Sequence, residues 1–128
     1  MTATGRAALL VSRDLFFISK VTGTASSLGI EMRVASEAQA AAQFARSEAL
    51  QCIFIDLADE GLNVAEFFAL LKTDQPLASF PAPVIAFGSH VATARLQAAR
   101  AAGCTDVMPR SRFSASLPEL LQKYCSVV

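Results

Sequence analysis

Short apolar runs rich in β-branched residues alternate along the chain with longer segments in which apolar residues recur every three or four positions. A parallel sheet covered by helices on both faces produces that alternation. The first strand is expected at 8–11, read from Ala8, Leu9, Leu10 and Val11. After it, Ile18, Val21, Ala25 and Leu28 set out one helical face, and Gly29 is placed to end the helix. Residues 30–35 read as a second, more polar strand suited to a sheet edge.

Ser36 followed by Gln39 forms a capping-box pair that opens an alanine-rich helix running to about residue 48. The third strand is 52–55, closed by Asp56. Asn63 and Glu66 repeat the capping pattern, and Val64, Phe67, Phe68 and Leu71 form a face of the third helix. Pro76, Pro81 and Pro83 mark a connection that is not helix. A fourth strand over 83–87 leads to a helix at about 91–103, and a brief fifth strand covers 105–108. Phe113, Leu117, Leu120, Leu121 and Tyr124 give the apolar face of one last helix. The expectation is one α/β domain over 1–128 with its core at about 6–125, built of five βα units without internal repeats.

Composition narrows the function classes. Eleven Lys and Arg balance eleven Asp and Glu, so no one-signed field favours nucleic acid or anionic lipid. The apolar runs fall far short of the roughly 20 residues that span a bilayer. The early apolar stretch is broken by Ser12, Arg13 and Asp14, which a secretory leader does not tolerate, so a cytoplasmic location is expected. Cys52, Cys104 and Cys125 are odd in number and widely spaced, suggesting neither a disulfide framework nor a zinc site; they read as buried small apolar residues. Cys52 and Cys104 open strands separated by the fourth, about 10 Å apart on ordinary strand spacing and too far to bridge.

In an open parallel sheet, chemistry gathers beyond the carboxyl ends of the strands. The residues there are Ser12, Arg13 and Asp14 after the first strand, Asp56 after the third, Gly88, Ser89 and His90 after the fourth, and Arg110 after the fifth. Five βα units with an aspartate ending the third strand resemble the receiver domain of two-component response regulators, the CheY-like superfamily, over essentially the whole chain. The run Gly103-Cys104-Thr105-Asp106-Val107-Met108 resembles the stretch leading into the receivers' fifth strand, and Pro83-Val84-Ile85 the stretch into their fourth. The resemblance implies a doubly wound, flavodoxin-like (βα)5 fold with strand order 2-1-3-4-5. It also implies phosphotransfer from a histidine kinase to Asp56 with Mg²⁺.

The departures from that pattern change the expected chemistry. Receivers hold Mg²⁺ with two acidic residues after the first strand, where this chain has Ser12 and Arg13. A hard dication needs anionic oxygen ligands, so no cofactor is expected. Asp14 lies one position too late and reads as a helix N-cap. Gly88 stands at the position of the receivers' switch Ser or Thr, with Ser89 after it. Arg110 stands at their lysine, keeping the charge but changing its reach and shape. Asp56 is expected to pair with Arg13 or Arg110, in a non-enzymatic signalling module that acts by protein–protein contact without phosphorylation. The alternatives are a receiver phosphorylated on Asp56 with an unusual metal site, and a small flavodoxin-like enzyme or cofactor-binding protein.

Other candidates have plainer readings. His90, the sole histidine, reads as a surface residue remote from the cysteines. Thr22-Gly23-Thr24 has phosphate-loop letters but falls inside the first helix, and Arg13 to Phe16 is the wrong chemistry for a flavin phosphate. Asp59 and Glu60 beside Asp56 read as a solvated acidic loop. Phe16 and Phe17 cannot both face one core, so one is expected at the surface, where it can mark a partner site. The expected partner is a histidine kinase or downstream signalling protein. The fourth helix with Arg95 and Arg100, the fifth strand and the fifth helix form the surface receivers use for targets or homodimers.

Overall fold

The strands are apolar at nearly every position because both of their faces are covered. In the computed structural model, described over residues 7–47, 50–58, 64–72 and 82–125, the sheet comprises β1 (Ala7–Val11), β2 (Glu31–Ala35), β3 (Cys52–Asp56), β4 (Val84–Gly88) and β5 (Asp106–Pro109). All pairings are parallel, in the order β2-β1-β3-β4-β5. The central strands β3 and β4 are buried throughout, whereas edge strand β2 carries exposed Glu31 and Val34. The more polar second strand thus takes the edge position that its sequence requires.

Alternation along each strand divides the core in two. On one face Leu9, Val11, Ile53, Ile55, Val84 and Ala86 meet α2 (Ala38–Ser47), α3 (Val64–Lys72) and α4 (Thr93–Ala102). Alanines 38, 41, 42 and 45 let α2 approach closely. On the other face Leu10, Cys52, Phe54, Ile85, Phe87 and Met108 meet α1 (Leu15–Ser27), α5 (Arg110–Ala115) and α6 (Leu117–Tyr124). There Phe113 stacks on Phe87 with centroids 4.0 Å apart and meets Phe54 edge-on at 5.4 Å.

Several local expectations are corrected. The first helix buries Phe17, Val21 and Ala25, with the expected Ile18 and Leu28 packed half-buried against the same core, and Asp14 caps it: Phe17 N donates to Asp14 Oδ1. The helix ends through Gly29, whose φ of 76° is left-handed and suits glycine. Helix α2 begins at Ala38, with the Glu37 carbonyl accepting from Ala41, so the cap falls one residue after Ser36. The expected last helix is two. Pro118 has no N–H to offer the Ser114 carbonyl, and the chain breaks at Ser116 before resuming at Leu117. The expected Asn63 cap, the acidic pair Asp59 and Glu60, Leu71's packing, and Pro76 and Pro81 fall outside what the structure describes.

Among the described residues no helix is long and apolar enough to cross a membrane.

Candidate functional site

The carboxyl ends of β1, β3, β4 and β5 bring Ser12, Asp56, Gly88 and Arg110 to one edge of the sheet. Asp56 is the last residue of β3 and is 2% exposed. A carboxylate buried so deeply costs several kcal/mol unless donors replace its hydration. Three do so: Ser12 Oγ donates to Oδ2 at 2.8 Å, Ala58 N donates to Oδ1 at 2.9 Å, and Arg110 Nη2 reaches Oδ1 at 2.5 Å.

Each donor is set in place by the backbone. Ser12 directly follows β1; its amide donates to Ala35 O and its side chain is fully buried. Its hydroxyl oxygen also accepts from the Asp14 amide at 3.2 Å, so one side chain ties the carboxylate to the start of α1. Ala58 follows the β3 terminus, where the turn aims its N–H back at Asp56. Arg110 opens α5 immediately after Pro109, whose φ of −63° and ψ of 148° end β5.

The Arg110 guanidinium is held from a second direction. It lies 4.8 Å from the Phe17 ring centroid and 5.5 Å from that of Phe87. The two rings are themselves packed, with centroids 5.1 Å apart. A planar cation that stacks on aromatic faces while its edge donates to a carboxylate uses properties that lysine lacks. Phe17 and Phe87 are members of this site that the sequence did not mark: Phe87 read only as part of the fourth strand, and which of Phe16 and Phe17 faces the core was left open. Their signal, an aromatic at the first buried position of α1 and another ending a strand, is the same as that of ordinary packing.

Arg13 turns elsewhere. It is exposed, and its Nε donates to the Ser36 carbonyl at 3.0 Å. Of the two arginines considered for Asp56, the one in contact is Arg110. Ser89 is exposed and its Oγ accepts from the Val91 amide at 3.3 Å within the local turn. Gly88 is buried, and a Cβ there would stand 3.1 Å from Leu57 Cβ and 3.7 Å from Leu96 Cδ2. A side chain at this position would press on Leu57 and touch Leu96 at ordinary contact distance. His90 is exposed in the β4–α4 connection. The hydroxyls of Thr22 and Thr24 donate to the carbonyls of Ile18 and Lys20 within α1, so this segment is no phosphate loop.

No family model and no curated protein matches the sequence. Solved structures do match. The receiver domain of a sensor histidine kinase from Pseudomonas aeruginosa, crystallised with magnesium in its active-site cleft, superposes with a TM-score of 0.78 at 18% identity, covering 97% of this chain and 100% of that one. The chain has the receiver fold. Two further receivers extend the likeness. The phosphorylated cyanobacterial phytochrome response regulator RcpA gives a TM-score of 0.76 at 13% identity, with 96% of each chain covered. The receiver domain of Saccharomyces cerevisiae Ssk1, co-crystallised with the histidine phosphotransfer protein Ypd1, gives 0.77 at 16%, covering 93% of this chain and 88% of that one. At these identities the likeness concerns the fold. Among the described residues, the groups around Asp56 are a hydroxyl, a guanidinium and a backbone amide, and positions 12 and 13 carry no carboxylate, which does not fit the anionic oxygen cluster that Mg²⁺ requires.

Proposed function

We propose that this protein is a receiver-fold signalling module that acts through protein–protein contact in the cytoplasm, without Mg²⁺-dependent phosphorylation of Asp56 and without enzymatic activity. The observation that carries the reading is the network on Asp56. Arg110, Ser12 and the Ala58 amide already supply the charge and hydrogen bonds that a buried carboxylate needs. For Asp56 Oδ1 to attack a phosphoryl group, the guanidinium would have to withdraw from it. No second carboxylate at Ser12 or Arg13 is present to recruit a metal for that exchange. The fixed cation is therefore read as a permanent substitute for the charge that metal binding supplies elsewhere.

Contact as the mode of action is supported by the surface around the same edge. Phe16 is 85% exposed and Leu15 80% exposed at the start of α1, and Val91 is 73% exposed after β4. Large apolar side chains left in water near a sheet's carboxyl edge favour a protein partner. The partner is taken to be of the two-component class, a histidine kinase, a phosphotransfer protein or a downstream target.

Intact-mass analysis after incubation with acetyl phosphate and Mg²⁺ tests the reading. No phosphoryl adduct on Asp56 is expected. A stoichiometric adduct that disappears in Asp56→Asn overturns it in favour of a phosphorylatable receiver.

A further inference from the structure

The face of the sheet that packs α1, α5 and α6 contains a pair of thiols that the site at Asp56 does not use. Cys52 opens β3 at the amino edge of the sheet, and Cys125 follows the last turn of α6. Both are fully buried, and their sulfurs stand 2.7 Å apart. They are not joined in a disulfide and lie 73 positions apart in sequence. The third cysteine, Cys104, packs against the opposite core and is half-buried. Sequence reading compared Cys52 only with Cys104, because nothing in the helical pattern shows that the end of α6 returns to the start of β3.

We propose that Cys52 and Cys125 are a site of reversible covalent modification, closing to an intramolecular disulfide by exchange with a low-molecular-weight disulfide. Cys125 is the entering thiol. It lies at a helix end, where local opening costs least, whereas Cys52 lies within the central sheet. As thiolate, Cys125 Sγ attacks one sulfur of the small disulfide, whose S–S bond breaks and whose other half leaves and takes up a proton. The Cys52 thiolate then attacks Cys125 Sγ in the mixed disulfide and expels the second small thiol, which is also protonated. The two protein thiols lose two electrons and two protons, and the reagent gains both as two thiols. The product joins the end of α6 to the strand whose other end is Asp56. It forms at the opposite edge from that residue, so it stands or falls independently of the reading given to Asp56.

The test uses the whole chain in its folded state. The protein is equilibrated with oxidised glutathione, acid-quenched, denatured and alkylated, then weighed intact and mapped by proteolysis. One alkylated thiol is expected where the reduced protein shows three, with a cross-linked peptide pair containing Cys52 and Cys125 that is lost on adding reductant. Cys104→Ser should form the same cross-link, with no alkylated thiol remaining. Three alkylated thiols after equilibration, a cross-link involving Cys104, or glutathione retained on Cys125 without closure would each overturn the proposal.

Discussion

Arg110 reaches across the top of the sheet to Asp56, placing Nη2 2.5 Å from Oδ1 while its guanidinium rests over the Phe17 ring. The acid is buried and the base keeps 29% side-chain exposure, so part of their attraction is screened by water. What remains is the compensation that allows Asp56 to be charged inside the fold.

Asp56→Asn should therefore destabilise the protein. In a pocket of several carboxylates, removing one relieves repulsion and raises stability. Here the acid is surrounded by donors, and the amide puts an N–H where an oxygen accepted from Arg110 or Ser12. A loss of about 1–3 kcal/mol in urea unfolding is expected.

Arg110→Lys and Arg110→Met separate charge from shape. Lysine keeps the charge but loses the planar stacking on Phe17 and Phe87, and should cost about 1 kcal/mol. Methionine leaves Asp56 without a cation and should cost about 2–3 kcal/mol, a figure reduced from the full buried-pair value because Arg110 is partly exposed. An Arg110→Lys variant as stable as the parent in the same unfolding titration would show that the stacking contributes nothing, and equal losses in the two variants would show that the charge contributes nothing.

Gly88→Thr should be poorly tolerated although threonine favours strands. Its Cβ would meet Leu57 Cβ at 3.1 Å, and that atom, next to the backbone, cannot swing away. A loss of about 1–3 kcal/mol is expected. Leu57→Ala keeps its own Cβ but frees the space beyond it, where Leu57 Cδ1 stands 3.5 Å from the added atom. The double variant should therefore recover part of the loss, giving a favourable coupling in a double-mutant cycle.

Stability at alkaline pH should carry a contribution from Cys104. Burial pushes its thiol from an ordinary 9.0 up to about 11. Between those values the unfolded chain has released a proton that the folded chain retains, so stability falls as pH rises through that window and is unaffected below it. Cys52 is raised as well, by the Cys125 thiol beside it and then by burial, and acts with the same sign. Cys104→Ala should flatten the alkaline fall of the urea midpoint in part, leaving neutral pH behaviour free of this term.

Much of this arrangement is legible in the sequence, for identifiable reasons. All five strands announce themselves because burial on both faces demands apolar runs, and the polar content of 31–35 marks the edge. Strand order comes instead from the resemblance carried by Asp56 and residues 103–108, since periodicity does not say which strands are neighbours. The break at Ser116 is hidden because Phe113, Leu117 and Leu121 hold a four-residue spacing straight through it. Ser12, Asp56, Gly88 and Arg110 are each placed by the end of a strand, which is why sequence position locates them. The choice between Arg13 and Arg110 is set by side-chain direction: Arg13 leaves toward Ser36, while two aromatic rings hold Arg110 over Asp56. Neither ring is marked for that role by its spacing.

The proposed function has Arg110, rather than a metal, neutralise Asp56. An Mg²⁺ titration followed by two-dimensional amide NMR tests it most directly, because the Ala58 amide donates to the same Asp56 oxygen that Arg110 contacts. No saturable shift of the Ala58, Ser12 or Arg110 resonances is expected at millimolar Mg²⁺. A saturable shift at Ala58, abolished by Asp56→Asn and accompanied by release of the Arg110 side chain, would contradict it.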